Sequence, residues 1–135
     1  MGKLKVGVIG VGSISDMHLQ SYVKNERVEL YAVCDMNEER AEEKAKRYGA
    51  AIFYADYPSL LDDKEIDAVS ICTWNNSHAE IAIAALNAGK HVLVEKPLCT
   101  TVEEAKKIQE TVKQTGKVLQ VGFVRRYASN TKLLK

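Results

Sequence analysis

One domain of ordinary size fits in 135 residues, and two do not. Hydrophobic residues make up 46% and charged residues 27%, a composition that excludes a disordered chain and suits a globular one. The formal net charge of +1 removes any electrostatic case for nucleic acid or an anionic membrane, and no apolar run approaches the roughly 20 residues of a membrane span.

Strand and helix signals then alternate along the chain without repeats or low-complexity tracts. Leu4 to Ile9 reads as a first buried strand, broken by Gly10 and Gly12. Ser13 to Lys24 carries Ile14, Met17, Tyr22 and Val23 as the apolar face of a helix. Val28 to Cys34 is a second strand. Asn37 is placed to cap the next helix, with Glu38 and Glu39 in its first turn, Lys44, Lys46 and Arg47 near its end, and Gly49 as its stop. Ile52 to Tyr54 is a short third strand and Pro58 to Leu61 a brief helical turn. Ala68 to Cys72 is an almost unbroken apolar run, as expected of a parallel strand covered on both faces. Ser77 to Ala88 is helical and ends at Gly89; His91 to Val94 is the fifth strand. Thr101 to Thr115 is a helix with Val102, Ala105, Ile108 and Val112 on one face, stopped by Gly116, and Val118 to Val121 is the sixth strand. This alternation predicts an α/β fold, a doubly wound parallel sheet of the Rossmann kind with right-handed crossovers, over residues 1–121. Residues 122–135 then start a connection that the chain does not finish.

The first strand opens into Gly10-Val11-Gly12-Ser13-Ile14-Ser15 and then a helix, the pattern G-x-G-x-x-S. The first glycine permits a tight turn, and the second lets backbone approach a pyrophosphate seated on the free N–H groups of the helix start. The third position needs a small residue so that helix and strand pack closely, which Ser15 satisfies. Asp35, twenty positions after Ser15, closes the second strand. Its carboxylate is placed to accept hydrogen bonds from the adenosine ribose and to repel a 2′-phosphate, so NAD is favoured over NADP, with Arg40 one turn on softening that preference. A helix cap or loop charge is the plain alternative for Asp35. A methyltransferase would use a similar turn for S-adenosylmethionine. Cys34, Cys72 and Cys99 show neither metal-site nor disulfide spacing, and Cys34 and Cys72 read as buried free thiols. With no secretory signal ahead of the first strand, the expected location is cytoplasmic.

Three segments together resemble the Gfo/Idh/MocA oxidoreductases: Gly7 to Gly12, Thr73-Trp74-Asn75-Asn76-Ser77-His78, and Gly89 to Leu98 with its Glu95-Lys96-Pro97 core. The resemblance covers essentially the whole chain but only the N-terminal half of such enzymes. It implies a missing second α/β domain that supplies most of the substrate pocket and the oligomer interface, and hence a homo-oligomer for the full-length protein. It also implies that Lys96 is catalytic, holding or deprotonating the hydroxyl of a sugar or cyclic polyol. Lys96 follows the fifth strand at the carboxyl edge of the sheet, where ligands bind. Glu95 is its ion partner or a cofactor contact. Thr73, Trp74, Asn75 and His78 border the nicotinamide in this reading. Trp74 stands where the common family form has Pro, and resembles some inositol dehydrogenases; loop packing is its alternative role. His78, at a helix start, reads as a neutral hydrogen-bonding residue or a cofactor neighbour, and His18 as structural. Val121 to Tyr127 resembles the crossing segment of inositol-active members, with Arg125 a substrate contact or half of a solvated pair with Arg126; Ala128 stands where those relatives often have Asp. The chain alone is expected to bind cofactor without turnover. A non-catalytic NAD-sensing module is the rival reading, and an artificial truncation a third.

Overall fold

The computed structural model describes residues 4–11, 15–73, 78–95 and 101–122. They form β1 (Leu4–Ile9), α1 (Ser15–Lys24), β2 (Val28–Cys34), α2 (Glu38–Tyr48), β3 (Ile52–Tyr54), α3 (Tyr57–Leu61), β4 (Ala68–Ile71), α4 (His78–Asn87), β5 (His91–Glu95), α5 (Val102–Thr115) and β6 (Leu119–Gly122). All pairings are parallel, in the order β3-β2-β1-β4-β5-β6. The sheet grows outward from β1 to β3, crosses back, and grows the other way from β4 to β6. The expected doubly wound sheet is therefore present, and its switch point lies where β1 and β4 end side by side.

Side chains alternate along the central strands, and each face buries its own core. Val8, Val33 and Cys72 meet Leu19 of α1 and Ala45 of α2 on one face. Ile9, Ala32, Cys34, Ile71 and Val94 meet Leu60 and Leu61 of α3 and Ile81, Ala82, Ala85 and Leu86 of α4 on the other. Burying a Leu or Ile side chain contributes about 1.5–3 kcal/mol, so these two layers carry most of the stability. α4 is apolar nearly all round, since Ala79, Ile81, Ala82, Ala85 and Leu86 are all buried, which suits a helix covered on several sides. Gly7 lets α3 approach: a Cβ there would lie 3.0 Å from Leu60 Cδ2. β2 carries one extra residue, Tyr31, opposite the Val6–Gly7 step, and its ring lies 5.2 Å from the Lys5 ammonium.

Element ends follow the cap signals. Asn37 accepts the Arg40 N–H and Thr101 accepts the Glu104 N–H, so α5 starts one residue after Thr101. Gly49 and Gly116 end their helices. Further ends differ from expectation by one residue: β4 ends at Ile71, β5 extends to Glu95, β6 runs from Leu119 to Gly122, and α4 ends at Asn87. α3 begins at Tyr57 because Asp56 caps it through the Ser59 N–H.

Two expected core residues are on the surface. Val23 is 53% and Val102 71% exposed. In α1 the buried stripe is Ser15, His18, Leu19 and Tyr22, at helical spacing of three and four, and Val23 falls off it. Two polar residues occupy that stripe, which is why an apolar count misplaced it. In α5 the packed face is Ala105, Ile108, Thr111 and Val112, and Val102 sits at the free first turn.

Candidate functional site

β1 ends at the switch point, and Gly10 makes the turn. Its φ is +87°, a conformation an L side chain rarely adopts. A Cβ on it would lie 2.8 Å from Thr73 Cγ2, 2.9 Å from Thr73 N and 3.0 Å from the Cys72 carbonyl carbon. Only a hydrogen fits between the ends of β1 and β4. Backbone bonds hold the end of β1 on both sides: Gly10 N–H donates to the Cys34 carbonyl of β2, and Cys72 N–H, just past β4, to the Ile9 carbonyl, each at 2.8 Å.

Asp35, the first residue after β2, holds the turn that Gly10 begins. Its Oδ2 accepts the Val11 N–H at 3.1 Å, and its Oδ1 accepts the Asn37 N–H at 2.8 Å. Arg40 Nη1 lies 3.4 Å from Oδ2. The Asp35 side chain is 12% exposed and that of Arg40 47%. The acidic residue and the glycine turn, twenty-four positions apart between Val11 and Asp35, are thus one hydrogen-bonded unit. Asn37 links that unit to α2, since it donates its N–H to Asp35 and accepts that of Arg40.

Ser15 opens α1 fully buried, so the small residue in the third motif position lies in the helix–sheet contact. Asp16 follows it. Its Oδ1 accepts from Lys44 Nζ of α2 at 2.7 Å and from the Tyr48 hydroxyl at 3.2 Å. The Lys44 hydrogen bond foremost holds the Asp16 carboxyl below its usual range, against the opposing effect of burial. Lys44 lies on the buried stripe of α2 with Ala41 and Ala45. Sequence reasoning took this lysine as a charge near the helix end and gave Asp16 no role; a lysine in an Ala-x-x-Lys-Ala stripe was the available signal.

On the far side of the switch point, His78 starts α4. Its ring is 1% exposed and its Nε2 lies 2.7 Å from the Thr73 carbonyl oxygen. A carbonyl only accepts, so Nε2 carries the hydrogen. This bond ties the first residue of α4 to the chain just past β4, bridging the segment between them. His18 is buried beside Tyr22 in α1, with ring centroids 6.5 Å apart. The Tyr22 hydroxyl in turn bonds Ser70 Oγ within β4. Cys34 and Cys72 are buried and in no disulfide, and burial pushes the Cys34 thiol up to about 12.

The structure therefore brings together Gly10, Asp35, Thr73 and His78 along the carboxyl edge. β5 leaves the sheet at that same edge, with Glu95 its last residue, paired to Gly122. The Glu95 side chain, and Gly12, Ser13, Ile14, Trp74, Asn75, Lys96, Pro97, Cys99 and Arg125, lie outside the described residues. Among the described residues no helix is long and apolar enough to cross a membrane, and no group of His, Cys, Asp or Glu is arranged to hold a metal ion.

Comparison with known proteins places this geometry. The model of the GFO_IDH_MocA oxidoreductase family, an NAD-binding Rossmann fold, matches residues 4–123. The inositol 2-dehydrogenase of Salmonella typhimurium is 40% identical over 127 residues, which are 92% of this chain and 38% of that protein. The D-glucoside 3-dehydrogenase of Escherichia coli is 38% identical over 133 residues, 98% of this chain and 38% of that protein. A 3-ketoreductase from Actinomadura kijaniata, solved in complex with NADP, superposes with a TM-score of 0.85 at 32% identity, over 90% of this chain and 39% of that one. The chain thus spans under two-fifths of the length of these curated relatives. The glycine wedge, the acidic anchor and the switch-point sheet are those of an NAD-binding Rossmann domain, and the chain belongs to the Gfo/Idh/MocA oxidoreductase family.

Proposed function

We propose that the chain binds NAD along the carboxyl edge of its sheet, as the cofactor domain of a dehydrogenase for a secondary alcohol of a sugar or cyclic polyol. The observation that carries this reading is the Val11–Asp35 hydrogen bond beside the Gly10 wedge. It sets a carboxylate and a side-chain-free backbone turn at the two places where a ribose and a diphosphate need them. The residues fit a dinucleotide: the space a Cβ would fill at Gly10 is taken up by β4, and Asp35 retains acceptor capacity beyond its three neighbours.

In this reading Gly10, Gly12, Ser13 and Ile14 shape the diphosphate seat. Asp35 holds the adenosine ribose. Thr73, Trp74, Asn75, His78 and Glu95 border the nicotinamide end, with His78 fixing the segment from within rather than facing the ring. Bound NAD supplies a two-electron acceptor. Lys96 binds the alcohol oxygen and takes its proton, and Arg125 orients substrate hydroxyls through its planar set of donors. Relatives named as inositol and glucoside dehydrogenases support a polyol substrate and favour catalysis over a purely sensory role. Residues 1–121 form the cofactor domain and 122–135 lead out of it. A wall and catalytic partners from beyond these residues complete the substrate pocket and the oligomer, so this chain alone binds cofactor and turns over little or no polyol. The working compartment is the cytoplasm.

NAD is preferred to NADP because the Asp35 carboxylate opposes a 2′-phosphate. Arg40 moderates that preference: it is half exposed and close enough to Asp35 to turn toward a phosphate instead. Calorimetric titration with NADH and NADPH tests the reading. NADH is expected to bind at least about tenfold more tightly, the size of one unfavourable charge contact. Equal affinity would overturn the NAD preference, no heat with either would overturn the binding reading, and rapid inositol oxidation by the chain alone would overturn its dependence on a further domain.

A further inference from the structure

Among the described residues, the most buried charged pair near the cofactor edge is not one of the motif residues. It joins α1 to α2 through Asp16 and Lys44, whose side chains are 32% and 10% exposed. Asp16 is the second residue of α1. The amino end of a helix carries a partial positive charge of roughly half an elementary charge, and a diphosphate draws on it. A carboxylate in the same first turn draws on it too. One turn of helix spans about 5.4 Å, so a diphosphate on that end and the Asp16 carboxylate lie within about one Debye length of each other. Left alone, Asp16 would repel the ligand that the helix end is built to hold.

Lys44 answers that charge. Its ammonium is buried on the α2 stripe and bonded to Asp16 Oδ1, with Tyr48 donating to the same oxygen. Arg47, over the Tyr48 ring at 5.6 Å, adds a second positive charge nearby. The remaining helix charges of α2 lie off this stripe, toward solvent. We infer that Lys44 is a positioning residue for dinucleotide binding: by neutralising Asp16 from the neighbouring helix, it leaves the amino end of α1 free to hold a diphosphate. The inference rests on the reading of α1 as the diphosphate helix. It differs from simple helix-to-helix attachment, because it makes affinity depend on net charge at Asp16 rather than on the bridge itself.

A double-mutant cycle on this chain separates the two, with NADH titrated by calorimetry and folding followed by thermal denaturation. Lys44→Met keeps the apolar stem and leaves Asp16 unanswered; NADH affinity is expected to fall about tenfold, and to recover partly at high salt. Asp16→Asn combined with Lys44→Met removes both charges and the bridge; affinity is expected to return to within about twofold of the parent chain, although the melting temperature stays lowered. Lys44→Arg keeps the charge and is expected to keep the affinity. Should Lys44→Met fail to fold, Lys44→Gln deletes the same charge and takes its place in the cycle, with the same expected loss. A double variant as weak as Lys44→Met overturns the inference and leaves a purely structural bridge. A parent chain that binds no NADH overturns the diphosphate reading itself, and this inference with it.

Discussion

At the amino rim of the sheet, where β4 and β5 begin, the Lys90 ammonium is buried and donates to the carbonyls of Asp63 and Ile66 at 2.8 and 2.7 Å. Asp67 accepts the Lys5 N–H, and His91 Nδ1 accepts the Val118 N–H. At the carboxyl rim, a glycine of positive φ is wedged against β4 and a carboxylate stitches its turn to β2. The amino rim also holds a hollow of about 360 Å³, lined by Lys64, Asp67, Lys90, His91 and Lys117 among others. Polar groups of the amino rim close loops onto strand starts and serve stability. Those of the carboxyl rim hold backbone N–H groups in a bend, which is what anion recognition requires. Substitutions on the two rims should therefore fail in different ways.

The sharpest contrast comes from two glycines of nearly equal φ, Gly10 at +87° and Gly89 at +84°. A Cβ at Gly89 meets nothing within 4 Å, while one at Gly10 meets backbone at 2.9 and 3.0 Å. Gly89→Ala is expected to cost about 1 kcal/mol, the left-handed strain alone, and to leave NADH affinity unchanged. Gly10→Ala adds a clash that only movement of β4 relieves, so roughly 3 kcal/mol or more is expected, with NADH binding lost. Urea denaturation and calorimetry of both variants check this; equal costs would erase the distinction between the rims.

Lys90→Met breaks the amino rim without touching the other. Two carbonyls lose a charged donor, worth roughly 1–3 kcal/mol, offset in part because burial of the ammonium itself is unfavourable and lowers its pKa. Melting temperature should drop while NADH affinity holds. Weakened binding would show that the rims are coupled through β5.

Asp35→Asn is the converse. It keeps an acceptor for one backbone N–H and removes the charge, so stability should change by about 1 kcal/mol or less. NADH affinity should fall about tenfold, and the gap between NADH and NADPH should narrow as Arg40 loses its counter-charge. An unchanged gap would assign cofactor preference to some group other than Asp35.

Much of this was legible in the residues. Buried strands read as apolar runs between glycines, and β1, β2 and β3 carry the expected ends because glycine, asparagine and short polar loops flank them. Asp35 was legible from its place at the close of β2, and Asn37 and Thr101 from capping chemistry. What escaped depends on contacts between segments distant in sequence. The Asp35–Val11 bond spans twenty-four positions and the Asp16–Lys44 bridge twenty-eight, and no local pattern encodes either. The buried face of α1 escaped for a related reason: His18 and Ser15 are polar yet lie inward, neither of them without a partner.

The smallest expected effect concerns acid. Folding lowers the Asp16 carboxyl below its ordinary 3.8, chiefly through Lys44, so the folded chain binds the proton less readily than the unfolded one. The resulting stability is present above about pH 4 and is lost as pH falls through the lowered value. With the side chain 32% exposed, screening limits the gain to about 1 kcal/mol or less. Asp56, which caps α3, shifts the same way through the Ser59 N–H, so an acid titration of the parent chain alone would blend the two. Asp16→Asn removes one and leaves the other. Between about pH 5 and pH 3 the parent chain should lose slightly more stability than this variant, with Asp56 contributing equally to both. The exposed Lys5–Glu65 pair of the amino rim provides the contrast: Glu65→Gln should leave the melting temperature at neutral pH nearly unchanged, because a solvated pair at the surface contributes little. Parallel acid limbs for the parent and Asp16→Asn would mean that Lys44 gives Asp16 no more than solvent does, and would remove the electrostatic distinction between the two rims.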